Sequence, residues 1–427
     1  MSAPDASRNV RPRLLSGGRR APPADWRAPE PEPAPVADWR ERGFAAPSPF
    51  VNAMPANWAA AKNAHHHPKF LDVIHDRQRE RARSLLPGEL PPPQVLLEQY
   101  PLNPGSHPKA VERCARQRVL RGTIDCLEND AARGALSDRI FLRANERVLE
   151  KLAAGEFPVR KTDLHGETDL RVYVTAEDTL DCAKRLNQQY GLVPMVLNMA
   201  NETHPGGGYR NGCAAQEENL FRRTDLHFRF TQDQIRGGDG PAARYTEEWR
   251  RKIAAVDHPK WEHMPTLAHP CICVRGSETR TAEGKVDGYE WYPEEEMFPF
   301  FELRAAAFDV NSNGADRELE RREARRRIDA HLAKADNSQH GHNAVVLSAF
   351  GCGAFGGDPE LVAEEYADAI LDLTKPGTAG RGAGKLVVIN FAIYYAGRGP
   401  NNYEVFKRVL GEKLNGPLGL TKRGIPI

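Results

Sequence analysis

The sequence predicts a layered α/β fold: helices packed on a largely parallel sheet, preceded by an extended N-terminal tract. Three observations predict it. Apolar runs of strand length alternate with helical segments of ten or more residues, the spacing that parallel crossovers need. One such run, Val193 to Ala200, is almost continuously apolar, as expected of a strand covered on both faces. Of the 33 prolines in the 427 residues, 18 precede Ser106, a density that removes backbone donors and forbids long helices. The chain therefore divides into a Pro-rich, largely disordered extension, 1–105, and a folded unit, 106–427.

Within the extension one short helix is expected at 69–86, with Phe70, Leu71, Val73 and Ile74 as contacts. His65, His66 and His67 have no second ligand cluster and read as a solvated loop. Beyond Ser106, helices are expected at 108–130 and 138–154. The second carries Ile140, Phe141, Ala144, Val148, Leu149 and Leu152 at helical spacing. A strand at 171–175 follows, then a helix with Leu180, Ala183, Leu186 and Tyr190 on one face. After the 193–200 strand a helix should run from Ala214 to Arg223. A polar, irregular stretch at 226–265 holds a helix from Thr246 to Ala255. Strands are expected at 271–274 and 303–310, and a charge-dense helix at 316–334 reads as an exposed face laced with i,i+4 pairs rather than a nucleic-acid stripe. Strand 344–350, helix 360–374, strand 386–394 and helix 403–414 complete the unit.

Composition narrows the function. Lys+Arg of 59 against Asp+Glu of 58 leaves no polyanion-binding excess, so direct nucleic-acid binding is not expected. The seven cysteines form no framework and point to reduced thiols in an intracellular compartment, cytoplasmic or nuclear. Cys271 and Cys273 are too isolated for zinc and read as buried strand residues; no metal or other cofactor is expected. No apolar run reaches the roughly 18 residues that span a bilayer. Arg8, Arg11, Arg13, Arg19 and Arg20, against one acid, Asp5, suit a disordered basic tail; an organellar transit peptide or nuclear-import patch would share this composition.

The chemistry concentrates in two loops. Strand 193–200 ends at Asn201, followed by Glu202-Thr203-His204-Pro205, the triplet Gly206-Gly207-Gly208, and, seven residues on, Gln216-Glu217-Glu218. Three glycines allow φ > 0 and a close approach of main chain to a ligand, with N–H groups free for anionic oxygens. Two carboxylates in a first helical turn sit at the positive end of the helix dipole. At an open helix start they should be ionised, so acid catalysis would need the bound substrate to raise the pKa. Adjacent helical positions diverge by about 100 degrees, which favours one binder and one catalyst.

The second loop, Gly351-Cys352-Gly353-Ala354-Phe355-Gly356, satisfies G-x-G-x-x-G between a strand and a helix. A dinucleotide fold would place the third glycine inside the helix. Here Asp358 and Pro359 follow Gly356-Gly357 as N-cap and first-turn residues, so the helix should start after an open loop suited to a diphosphate.

Together these features resemble the GGG-x-QEE signature of the microbial-type poly(ADP-ribose) glycohydrolases, a branch of the macrodomain fold. The resemblance runs from about residue 110 to the C-terminus. It includes 348–356 as the diphosphate loop and Val387 to Ile393 as the final strand; the Pro-rich extension and an insert at about 226–268 lie outside it. It implies a macrodomain-like three-layer α/β/α sandwich with a mixed, largely parallel sheet and an N-terminal helical extension, and hydrolysis of ribose–ribose bonds in poly(ADP-ribose). Poly(ADP-ribose) or ADP-ribosylated proteins would be the partners. Glu218 would be the acid/base, and Glu217 would bind the ribose hydroxyls. Asn201, Gly206, Gly207, Gly208 and Gln216 would hold the terminal unit. Ser348, Gly351, Cys352, Gly353, Ala354 and Phe355 would surround the diphosphate, and Phe391 would stack on adenine. A mono-ADP-ribosyl hydrolase and a non-catalytic ADP-ribose reader are the competing readings, and the paired glutamates argue against the reader.

Overall fold

The computed structural model describes residues 108–155, 170–231, 233–237, 243–256, 270–336, 343–374, 386–395 and 401–414. The expected helix at 69–86, the three histidines and the arginines of the N-terminal tract lie outside them.

Six strands form one sheet in the order β1-β10-β9-β2-β8-β5. They are β1 (Arg171–Thr175), β10 (Val388–Ala392), β9 (Ala344–Leu347), β2 (Met195–Met199), β8 (Phe298–Ala305) and β5 (Cys271–Cys273). All neighbours are parallel except β5 against β8. The predicted mixed, largely parallel sheet is borne out.

Alternate residues of the strands feed two cores. Val172, Val174, Met195, Leu197, Leu303, Val345, Leu347 and Ile389 face one way. Helices α7 (Arg317–Asp336), α8 (Pro359–Thr374) and α9 (Asn402–Leu414) cover them. Val196, Phe298, Phe300, Ala344, Val346 and Val388 face the other way. There they meet α1 (Pro108–Leu127), α3 (Thr179–Tyr190) and α4 (Gln216–Arg223). Both faces are buried, which is why β2 and β9 read as unbroken apolar runs. The result is three layers.

Several elements differ from expectation. Helix α2 (Asp130–Ala153) starts eight residues early, because Asn129 accepts the Ala132 N–H and caps it there. The strand placed at 303–310 lies at 298–305: it ends where its partner β2 ends, Met199 opposite Ala305. Val310 instead opens a short helix α6 (Val310–Asn313), capped by Asp309. A hairpin of β6 (Arg275–Arg280) and β7 (Val286–Trp291) was not expected. The 226–265 stretch holds a pair, β3 (Ile235–Arg236) with β4 (Arg244–Tyr245), before α5 (Glu247–Ile253).

Helix α7 carries the expected local pairs, Arg325 with Asp329 and Arg326 with Glu323. It is not merely an exposed face, because Arg327, Ile328 and His331 are buried. Among the described residues no helix is long and apolar enough to cross a membrane, and no group of three metal-ligating side chains gathers.

Candidate active site

Strands β2 and β9 are adjacent and parallel, so the loops that follow them emerge at one edge of the sheet. In open α/β sheets this edge is where ligands bind. The first loop runs from Ala200 to Cys213 and the second from Ser348 to Gly357.

The first loop folds back onto the start of α4. Glu217 accepts the Asn201 N–H through one oxygen at 2.7 Å and the Gly206 N–H through the other at 3.1 Å. Glu218 accepts the Gly208 N–H at 2.8 Å through Oε1. Its Oε2 is buried without a hydrogen-bond partner among the described residues. Gly207 lies between the two carboxylates with φ of +57°. A Cβ there would sit 2.6 Å from Glu218 Oε1 and 2.9 Å from Glu217 Oε2, so both backbone and space demand glycine.

Two expectations are corrected here. The helix start is not open, since Glu217 is 3% and Glu218 8% exposed. Burial holds the Glu217 carboxyl well above its ordinary pKa; the Asn201 N–H opposes this and the Glu218 charge adds to it. Nor are the triplet's amides free for a ligand. Those of Gly206 and Gly208 serve the glutamates, and that of Gly207 donates to the His204 carbonyl at 2.9 Å.

Asn201 and Gln216 lock the loop at its base. The Asn201 side-chain oxygen accepts the N–H groups of Thr203 and His204. Gln216 accepts the Met199 N–H and donates to the Leu197 carbonyl at 2.7 Å, tying α4 to the end of β2. Its amide is spent on the protein, so it positions the site from behind.

The second loop is stapled to α6. Phe355 and Ala354 present their carbonyls to the Val310 N–H and the Asn311 side chain at 3.0 and 3.1 Å. Gly351 has φ of +80°, and a Cβ there would meet that of Ala307 at 2.9 Å. The segment after β8 thus presses on the loop. The N–H groups of Gly353, Ala354 and Phe355 have no backbone partner among the described residues. As expected, the helix begins after the glycines, at Pro359, with Asp358 accepting the Glu360 N–H. Ser348 is buried and Cys352 half-buried beneath the loop, and burial pushes the Cys352 thiol pKa up.

Phe391 does not join the site. Its ring is fully buried, edge-on to Tyr366 at 4.9 Å and beside Phe406 at 5.8 Å. At position 391 the side chain points into the core under α7, α8 and α9, and a fully buried ring has no face open to adenine.

Below the first loop lies a buried polar group that sequence reasoning missed. Asn198 donates to Glu302 at 2.6 Å, and Arg304 pairs with Glu302 at 2.8 Å while lying over the Phe230 ring. Arg304 also acts electrostatically on Glu217. A signal existed: charges at 302 and 304 inside an apolar strand share one face, and two such buried groups need each other.

The fold and site are those of an α/β domain with a buried acid held against a glycine loop, at the end of the sheet where ligands bind. Residues 129–236 match the family described as "Microbial-type PARG, catalytic domain". That matched segment holds the glycine loop and both glutamates. No curated protein matches the chain. Among solved structures it is similar to the poly(ADP-ribose) glycohydrolase of Thermomonospora curvata, with 26% identity over 70% of this chain and 100% of that one, TM-score 0.41. It is also similar to the Deinococcus radiodurans enzyme in complex with ADP-ribose, with 21% identity over 57% of this chain and 84% of that one, TM-score 0.36. A third likeness is the T. curvata enzyme bound to the inhibitor ADP-HPD, 24% identical over 65% of this chain and 98% of that one, TM-score 0.36.

Proposed function

We propose that this protein hydrolyses ribose–ribose O-glycosidic bonds of poly(ADP-ribose), releasing ADP-ribose, with Glu218 as general acid and base. The observation that carries the role is the asymmetry of the Glu218 carboxyl: one oxygen is fixed by Gly208, the other is unengaged. Cleavage passes through an oxocarbenium-like state in which the leaving ribose oxygen needs a proton. A carboxyl with one oxygen anchored can deliver that proton from the other. It can then take a proton from water attacking the sugar as the acid form is restored.

Glu217 is the loop's strut in this scheme. Both its oxygens accept backbone N–H groups, so it holds Asn201 and Gly206 in place, and any ribose contact it makes is secondary. The amides of Gly353, Ala354 and Phe355, without a backbone partner among the described residues, suit the diphosphate, whose charge they would meet without desolvating a lysine or arginine. The natural substrate is then a polymer or an ADP-ribosylated protein. An intracellular site of action fits the seven unpaired thiols.

The test is to incubate purified protein with automodified polymer and with a mono-ADP-ribosylated protein and measure free ADP-ribose from each. Release from polymer supports the reading. Release only from the mono-modified substrate replaces it with a mono-ADP-ribosyl hydrolase, and ADP-ribose binding without release from either leaves a reader.

A further inference from the structure

Helix α4 ends in two arginines, Arg222 and Arg223, with no exposed surface. A buried guanidinium is costly unless its surroundings satisfy it, so their partners are informative. Arg223 pairs with Asp178 and Asp181 and donates to the Arg275 carbonyl. That arrangement fastens α4 to α3 and the hairpin.

Arg222 is held otherwise. Among the described residues its bonds go to neutral groups: the Cys213 carbonyl at 2.6 Å and the Tyr289 hydroxyl at 3.1 Å. Cys213 closes the glycine loop, its own N–H donating to the Gly208 carbonyl at 3.3 Å. Gly208 in turn supplies the N–H that Glu218 accepts. On the far side, Tyr289 of β7 donates to Glu278 of β6 at 3.0 Å, and Arg116 of α1 donates to the same oxygen at 2.7 Å. The α4 backbone is tied to α1 at this point too, because Thr123 donates to the Arg222 carbonyl at 2.7 Å. An unbroken run of polar contacts therefore links the outer hairpin and α1 to the glutamate.

We propose that Arg222 is a positioning residue for this hydrolysis: set by Tyr289, Glu278 and Arg116, it fixes Cys213 and Gly208, and thereby the direction of the Glu218 carboxyl. The proposal rests on the assignment of Glu218 as acid/base. It gives the β6–β7 hairpin, which adds nothing to the six-stranded sheet, a task in the reaction. Among the described residues the network reaches the proposed reacting group through Gly208 and Glu218, so it should act on turnover more than on substrate affinity.

The experiment uses full-length Tyr289→Phe and Arg222→Lys proteins. Tyr289→Phe deletes one hydroxyl and keeps the ring. Three quantities are compared with wild type: kcat and KM for ADP-ribose release from polymer, amide exchange in peptides spanning 206–214, and Tm. Loss of one buried hydrogen bond is expected to lower kcat about five- to tenfold and speed exchange in 206–214 by a similar factor. KM should stay within about twofold. Arg222→Lys, which can reach one of the two acceptors, should show the same pattern. Unchanged kcat and unchanged exchange in both variants overturn the proposal. So does a lowered Tm with kcat intact below the melting range, because that is a purely structural role. Wild-type protein that does not release ADP-ribose would remove the hydrolase reading; the exchange measurement still decides whether Arg222 braces the loop.

Discussion

Glu218 receives the Gly208 amide at 2.8 Å on one carboxylate oxygen, and the other oxygen of the same group is buried without a hydrogen-bond partner among the described residues. In the proposed acid/base role, this arrangement would aim Glu218 and leave it one oxygen for chemistry. Glu218→Gln keeps the acceptor for Gly208 and removes the transferable proton. Release of ADP-ribose from polymer should fall by about a hundredfold or more, with ADP-ribose affinity by calorimetry within a few-fold of wild type. Near-normal turnover would take the acid/base role from this residue.

Glu217→Gln should behave differently. Both Glu217 oxygens accept backbone N–H groups, so a carboxamide must turn its NH2 toward one of two amides. A buried donor facing a donor costs about 1–3 kcal/mol. The midpoint of urea unfolding should drop accordingly, and ADP-ribose affinity should weaken with the loop. An unchanged midpoint would show that the strut is dispensable.

Gly207→Ala tests the cage between the two carboxylates. The added methyl needs a left-handed residue and meets Glu218 Oε1 at 2.6 Å, which forces the acid to move. Backbone strain of this kind costs on the order of 1–3 kcal/mol. Activity should fall far more than thermal stability, and a variant with full activity would refute the packing described for Gly207.

Phe391→Ala should act on the fold. Truncating this buried ring beside Tyr366 and Phe406 removes about 3–5 kcal/mol of unfolding free energy, measurable by urea titration. A variant of native stability that had lost ADP-ribose affinity would restore the ring to the ligand.

His331 sets an acid limit. It lies fully buried between Phe350 and Tyr366 with neither ring nitrogen bonded among the described residues, and burial lowers its pKa from 6.5 to about 3. As pH falls below 6.5 the unfolded chain takes up a proton that the folded chain refuses until about pH 3. Stability from this group is complete above pH 6.5 and is lost progressively below it. His331→Leu should flatten the fall in unfolding free energy between pH 7 and 4.5 by roughly 2 kcal/mol. Equal slopes in variant and wild type would exclude the residue as the cause.

Much of this was legible in the residues themselves. Strands β2, β9 and β10 are apolar runs because both faces are covered, and Asp358-Pro359 marks the start of α8. The hairpin was hidden because Arg275-Gly276-Ser277-Glu278-Thr279-Arg280 carries none of the apolar alternation that betrays a strand; its polar side chains are held by Arg116 and Thr123 of α1, which only the fold brings near. Pro299 masked the start of β8, although that residue tolerates its place opposite Ile272. Burial of the two glutamates was invisible for the same reason, since it is imposed by a loop folding back over them. Phe391 shows the limit of motif transfer: a strand alternates its faces, and one position decides whether a ring meets ligand or core.

Strand β9 is wedged between β2 and β10, yet its residues are made long after β2 leaves the ribosome. Until Ala344 to Leu347 dock, the edge of β2 stays unpaired and the glutamate-bearing turn faces no partner loop. Such distant pairings close slowly, so a chain truncated before β9 would carry both acidic groups without the loop that follows β9.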